Sequence, residues 1–257
     1  MAKNLFDLRG RVSMITGASA GLGVIFAEAL AEAGSDLAIC ARRQNKLEET
    51  AARVRSLGRR CLAIRADVTR RDEVEGFLRR TLQEYGKVDI LVNNAGVTLA
   101  DAKLADNVDW DVHRRIMEGN LTSASLCSYI IGREMLARGY GRIINLTSIL
   151  GVVGGISQGP SYSYSISKHG VVGLTRACAL QWARRGITVN AIAPGYFPGQ
   201  MEEVALNPSG EEIAYRTPMG RRGRPEELKT APLFLAAEAS SYITGQVIMV
   251  DGGWTVW

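Results

Sequence analysis

Seven short apolar runs alternate with amphipathic helical patterns along this chain, and most of the helical patterns are stopped by a glycine. The runs at 12–16, 36–40, 61–65, 88–92, 142–146, 187–192 and 247–250 read as strands. Helical patterns occupy 22–33, 44–57, 71–85, 108–138 and 161–184, with Gly34, Gly58, Gly86 and Gly139 directly after four of them. Ile90-Leu91-Val92 and Ile143-Ile144 are apolar without alternation, as expected of strands covered on both faces. This order predicts an α/β fold: a doubly wound, parallel, seven-stranded sheet with helices on both faces, in a single domain over residues 1–257. At 257 residues the chain is long enough to bury a sizeable core. The stretch 196–224 breaks the pattern with Pro198, Pro208, Pro218 and several glycines. It reads as a substrate lid, with a plain surface excursion as the alternative.

Thirty-one Lys and Arg against 26 Asp and Glu give a net charge of +5, but the basic residues are pairs scattered among acids, from Arg42-Arg43 to Arg221-Arg222. Dispersed pairs are solvated helix faces, so no nucleic-acid partner is expected. Cys40, Cys61, Cys127 and Cys178 lie far apart, without C-x-x-C or a Cys/His cluster at zinc spacing, so no metal is expected either. His113 and His169 read as helix-surface residues. The first residues lack a signal peptide and no apolar run reaches membrane-spanning length, which points to a cytoplasmic protein with no membrane partner.

Gly17, Gly21 and Gly23, with Ser19, Ala20 and Leu22 between them, follow the first strand and open the first helix. Glycines let a backbone approach a pyrophosphate closely, and a helix N-terminus presents free N–H groups with a partial positive charge. The sheet is therefore expected to be of Rossmann type, holding a dinucleotide. The spacing is G-x-x-x-G-x-G, not the general G-x-G-x-x-G. Beyond the second strand an acid would hold a ribose 2′-hydroxyl, but Arg42 and Arg43 stand there. Guanidinium groups suit a 2′-phosphate, so NADP(H) is favoured over NAD(H). The alternative is that both arginines begin a solvated helix.

Tyr164 and Lys168 are four residues apart, one helical turn, and share a face. Two charges about 4 Å apart at an effective dielectric near 20 interact by roughly 4 kcal/mol. An ammonium there is expected to lower a phenol pKa by up to about 3, making the pair an acid or base near neutrality.

These features occur together with Asp67 in RADVT, the NNAG of 93–96, Asn120 in GNL, Ser148 in NLTS, Pro194-Gly195 and Asp251-Gly252-Gly253. Over residues 8–253 the chain resembles the short-chain dehydrogenase/reductase family. The resemblance implies that Tyr164 exchanges a proton with a carbonyl or alcohol oxygen, and that Ser148 hydrogen-bonds the same oxygen. Lys168 would tune Tyr164 and hold the nicotinamide ribose, while Asn120 would sit at a helix irregularity and hold a water. Thr147 and Tyr162 are the neighbouring hydroxyls that compete with Ser148 and Tyr164. Asp67 and Val68 would face the adenine. Asn93 to Gly96, with Asn94 and Ala95 between them, would lie beside its ribose, with the alternative that Asn93 and Asn94 mainly brace strand ends through backbone hydrogen bonds. Ile192, Pro194, Gly195 and Phe197 would wall the nicotinamide. A homotetramer through 108–138 and 161–184 is implied as well, with the aromatic tail 253–257 near a neighbouring subunit. Two departures stand out: a longer Ser148–Tyr164 spacing through 151–161, and Gly199 where the family often has threonine.

The implied substrate is a small carbonyl or alcohol. A sugar acid or polyol, as in gluconate 5-dehydrogenase-like members, would call for a cation such as Arg216 or Arg221. A 3-oxoacyl thioester is a second alternative, and the apolar Val152, Val153 and Ile156 suit an apolar ketone or cyclic alcohol. Outside this class stand a nucleotide-binding sensor or scaffold without turnover, and a methyltransferase on a similar sheet. The Tyr164–Lys168 pair speaks against both.

Overall fold

The computed structural model describes residues 4–99, 107–154, 162–198 and 209–256. Seven strands form one parallel sheet in the order β3-β2-β1-β4-β5-β6-β7. They are β1 (Val12–Thr16), β2 (Asp36–Ala41), β3 (Cys61–Arg65), β4 (Ile90–Asn93), β5 (Gly141–Leu146), β6 (Ile187–Pro194) and β7 (Val247–Val250). The helices are α1 (Leu22–Glu32), α2 (Gln44–Ser56), α3 (Arg71–Tyr85), α4 (Trp110–Met117), α5 (Ser123–Arg138), α6 (Tyr162–Trp182), α7 (Gly210–Arg216), α8 (Pro225–Leu228) and α9 (Thr230–Ala236). The expected doubly wound sheet is present, and its strands and the helices α1–α6 agree with the sequence reading to within a few residues, whereas α7, α8 and α9 were not anticipated, α7 lying within the stretch 196–224.

Successive strand residues point to opposite faces, so each strand supplies two cores. Ile15, Ile39 and Ile144 join Phe26 and Leu30 of α1, Leu47 of α2 and Leu235 of α9 on one face. Met14, Leu91 and Ile143 join Phe77 of α3 and Ile131 and Met135 of α5 on the other. The adjacent pair Ile143-Ile144 thus feeds both layers, which is why the sequence shows no alternation there. Among the described residues no helix is long and apolar enough to cross a membrane.

The helical pattern 108–138 carries an irregularity where the resemblance implied one, a wide turn of π-helix at Glu118–Thr122 centred on Asn120. Its side chain is drawn out of the helix register, accepting from the Val97 N–H at 2.6 Å and donating to Ser167 Oγ at 3.0 Å. The fourth strand starts at Ile90 rather than 88, and just before it Asp89, whose main chain still bonds Val12 and Arg142, turns its fully buried carboxylate onto the Val12 N–H at 3.0 Å.

Asp89 also pairs with Lys87 at 2.9 Å and Arg138 at 3.0 Å. Burial pushes its pKa up, but the hydrogen bonds from Lys87, Arg138 and Val12 outweigh this and hold the carboxyl below the usual range. Its stabilisation is therefore complete above the unfolded value near ~3.9 and lost as pH falls toward the folded value. Asp89→Asn should lower the unfolding free energy in urea at pH 7 by about 2 kcal/mol, because the facing cations are partly exposed and screened. The gap between wild type and variant should close as the titration is carried below pH ~4.

Candidate functional site

All seven strands end on one edge of the sheet, and the order reverses beside β1, where β4 rather than a sequential neighbour pairs with it. A crevice opens at such a reversal, outside the carboxyl ends of the strands. Here it is a cavity of about 750 Å³, lined by residues that follow β1 to β6. That volume suits a ligand of cofactor size.

At one end the turn after β1 leads into α1. Gly17 has φ +69°, and a Cβ on it would lie 2.7 Å from the Ala95 Cα, so the turn is pressed against the segment after β4. Asn94 locks it there, donating from Nδ2 to the Thr16 carbonyl at 2.9 Å and the Gly17 carbonyl at 3.0 Å. No side chain caps the N-terminus of α1, so its N–H groups face the cavity. Arg42 and Arg43 stand exposed at the cavity edge after β2, with Arg43 Nη2 3.4 Å from Ser19 Oγ. A glycine cradle, an uncapped helix end and two guanidinium groups together fit a phosphorylated dinucleotide. Of the residues expected on this side, Ser19, Ala20, Gly21, Leu22, Asp67, Val68, Asn94, Ala95 and Gly96 line the cavity. Gly23 does not line it. A Cβ there would sit 2.5 Å from the Gly17 carbonyl oxygen, so its role is to let α1 pack against the turn. Asn93 is buried and bonds Ser128 and Asn145, which makes it a strand brace.

At the other end Tyr164 and Lys168 project from α6 into the cavity, both buried. The Ser148 hydroxyl hydrogen-bonds the Tyr164 phenol. It also accepts from the Leu150 N–H at 3.2 Å, so a short 3₁₀ turn fixes its position. Thr147 also reaches the cavity, but its hydroxyl is committed to the Lys168 carbonyl at 2.8 Å. Tyr162 is exposed and its ring is tilted toward His113 at 6.4 Å. Asn120 lies behind the wall rather than on it. It bonds Ser167, which donates to the Tyr164 carbonyl at 2.7 Å, so Asn120 braces the turn of α6 that carries the tyrosine. Ile192 is likewise buried behind Pro194 and Gly195, which do line the cavity, as does Phe197.

The electrostatics correct one expectation. Lys168 Nζ lies 5.5 Å from the centre of the Tyr164 ring and donates to the Leu146 carbonyl at 2.9 Å. The phenol is not made acidic. Burial pushes it up to about 12, the Ser148 hydrogen bond pulls it back only in part, and neighbouring Tyr196 adds to the rise. Burial also lowers Lys168 to about 8. Desolvation penalises the charged form of either group, and it is the largest influence on both.

Other expectations shift as well. Arg216 and Arg221 are engaged by Glu212 at 3.1 Å and Glu227 at 2.8 Å, while Arg222 and Arg115 line the cavity instead. Thr98 lines it too, with a buried hydroxyl that has no hydrogen-bond partner. Nothing in the local pattern around Arg115 or Thr98 marked them, because only the fold carries them to the cavity. The tail does not reach outward at Trp254, which is buried, with its ring centre 4.9 Å from that of Tyr196 and the two planes tilted by 60°. His113 is half-buried rather than superficial, its Nδ1 3.0 Å from Ser163 Oγ. Gly199, residues 155–161 of the lengthened spacing and Trp257 lie outside the described residues, as do 199–208 of the expected lid.

A family model described as enoyl-(acyl carrier protein) reductase matches residues 17–255. The chain is 40% identical over 245 residues to the cis-4-hydroxycyclohexanecarboxylate dehydrogenase of Sinomonas cyclohexanicum, covering 95% of this chain and 96% of that one. A short-chain type dehydrogenase/reductase from Mycobacterium marinum superposes with a TM-score of 0.89 at 38% identity, covering 98% of this chain and 97% of that one. A gluconate 5-dehydrogenase from Burkholderia cenocepacia J2315, in complex with NADP and tartrate, superposes with a TM-score of 0.91 at 34% identity over 98% of both chains. With likeness running through nearly the whole length, in sequence and in three dimensions, the chain belongs to the short-chain dehydrogenase/reductase family of NAD(P)-dependent oxidoreductases.

Proposed function

We propose that the protein interconverts a secondary alcohol and a ketone with NADP(H), and that Tyr164 is the group that exchanges the proton. The observation that carries this reading is the buried Tyr164 phenol, hydrogen-bonded to Ser148 and one helical turn from Lys168, in the same cavity as the glycine cradle. When bound, the nicotinamide supplies or accepts the hydride. The protein's residues do the rest. Ser148 donates its hydroxyl to the substrate oxygen and stabilises the charge that develops there. Tyr164 stays protonated because it is buried, which is the form that delivers a proton to a carbonyl oxygen. Lys168 holds positive charge beside the phenol and offers N–H donors to a ribose. Leu146, by accepting from Lys168, fixes where that charge sits.

Arg42 and Arg43 carry the choice of NADP(H). No acid stands at the tip of β2 to hold a bare 2′-hydroxyl, and both arginines border the cavity. The relative in complex with NADP supports the same choice. Of the stretch 196–224, read as a lid for the substrate end, Tyr196, Phe197, Pro198 and Arg222 line the cavity. We extend the reading to a homotetramer formed through α5 and α6, on which Tyr129, Ile166 and Leu180 are exposed.

Tyr164→Phe should lower kcat/KM for ketone reduction by about 100-fold or more while the Kd for NADPH stays within about twofold. A nucleotide sensor would keep its function in that variant. Arg42→Ala should raise the Kd for NADPH by about 10–100-fold, the loss of one charge-assisted contact, and leave that for NADH nearly unchanged in fluorescence titrations. The charge on Lys168, lowered to about 8 by burial, is present below that pH and lost above it. Ketone reduction should therefore be level through neutrality and decline as pH rises through about 8, whereas a pH-independent profile from 6 to 10 would separate Lys168 from the reaction.

A further inference from the structure

Three consecutive residues at the end of β5 meet one turn of α6 at three points. The Leu146 carbonyl accepts from Lys168 Nζ at 2.9 Å. The Thr147 hydroxyl donates to the Lys168 carbonyl at 2.8 Å. The Ser148 hydroxyl hydrogen-bonds the Tyr164 phenol. The first and third bonds already have a part in the proposed reaction, and the second has none. Thr147 is buried, and its own N–H donates to the Ile192 carbonyl at 2.9 Å, so its main chain is held on β6. Its hydroxyl therefore links a fixed point of the sheet to the main chain of the residue that carries the ammonium.

The Lys168 carbonyl lies within α6, where one helical N–H leaves its second lone pair open. Thr147 fills that place from another element. The fit around the bond is close. Gly151 ends the 3₁₀ turn that follows Ser148, and a Cβ on it would overlap Thr147 Oγ1 and lie 2.7 Å from the Lys168 carbonyl oxygen. A glycine at 151 thus lets the turn that carries Ser148 close over the bond. Other ties reach the same helical turn at a different carbonyl: Ser167 donates to that of Tyr164, and Asn120 donates to Ser167. Among the described residues, Thr147 is the side chain that bonds the main chain of Lys168. A buried bond of this kind, with no water to replace either partner, holds its geometry strictly.

We infer that Thr147 is a positioning residue: its hydroxyl sets the register of α6 against the end of β5, and so places the Lys168 ammonium and the Tyr164 phenol relative to Ser148. This rests on the proposed oxidoreductase reading and adds to it a residue that acts through Lys168. The three bonds start from one short stretch of backbone, so a slip of α6 that breaks the middle one also stretches the other two. Valine has the shape of threonine without the donor. At position 147 it would set a methyl group against the Lys168 carbonyl and push the helix away by a fraction of an ångström. A misplacement of about 1 Å can cost roughly 100-fold in rate, so a smaller slip should cost about tenfold. The loss belongs to the chemical step, because what moves is the proton-transfer group and not the wall that holds the ligands.

The test measures NADPH-dependent reduction by wild type, Thr147→Val, Thr147→Ser, Gly151→Ala and Tyr164→Phe. The ketone is whichever of cyclohexanone, hexan-2-one and 5-ketogluconate wild type turns over fastest. Thr147→Val should lower kcat about tenfold while the KM for the ketone and the Kd for NADPH stay within about threefold. Thr147→Ser keeps the hydroxyl and should hold kcat within about twofold of wild type. Gly151→Ala keeps it too but wedges the bond apart, and should lose kcat as Thr147→Val does. Urea unfolding shows which variants are folded, and if Thr147→Val is not, Gly151→Ala decides in its place. Wild-type kcat in the deciding variant overturns the inference. So does an equal loss in Thr147→Val and Thr147→Ser, or a loss carried by KM or Kd instead of kcat. Tyr164→Phe separates the two levels. If it abolishes turnover while Thr147→Val matches wild type, the oxidoreductase reading stands and the role of Thr147 falls; if it keeps turnover, the reading itself falls.

Discussion

The side-chain amide of Asn94 ties together the two strands between which the sheet reverses its order. It spans from the end of β4 to two successive carbonyls at the end of β1, while the Thr16 hydroxyl accepts from the N–H groups of Asn94 and Ala95 at 3.1 and 3.0 Å. Parallel strands at such a reversal splay apart and leave a crevice, with backbone groups that would otherwise face water or a ligand unpaired. Satisfying them from within makes the crevice rigid before anything enters it. The glycine turn, the uncapped start of α1 and the segment leading to the wide turn at Asn120 all take their positions from this stitch.

From there the site divides into a floor and a rim. The floor is built by carboxyl ends of strands: Leu146 receives Lys168, and Ser148 starts the turn after β5. Part of the rim comes from late in the chain, with Tyr196 after β6 lining the cavity and Trp254 after β7 packed behind it. The chemistry and the selection of what undergoes it therefore have different structural origins. One depends on strand ends and α6. The other depends on how the lid and the tail close on each other.

Burial governs the electrostatics of the floor. A surface tyrosine and lysine one helical turn apart would attract each other's charged forms, but both groups here are withdrawn from water. Desolvation moves each toward neutrality, the phenol upward and the amine downward. Their proximity was readable from the spacing of Tyr164 and Lys168. The direction in which Tyr164 moves was not, because it depends on how much solvent the surrounding fold excludes.

The order of strands and helices, the glycine turn, the arginines at the tip of β2 and the Tyr164–Lys168 pair were all legible in the sequence, because each is a local pattern with a short-range physical cause. Hydrophobic period, glycine placement and helical spacing act within a dozen residues. Roles that depend on distant partners were not legible. Gly23 proved to be a support behind the wall, and the partners of Asn120, the Val97 N–H and Ser167, lie on other segments. Arg216 and Arg221 were spent on ion pairs with Glu212 and Glu227, and Trp254 turned inward to hold Tyr196. The sequence by itself determined which chemistry the chain carries and on what scaffold. Tertiary structure alone decided which side chains face the cavity and which are consumed in building it, because a side chain's neighbours across the fold are set by packing of the whole chain.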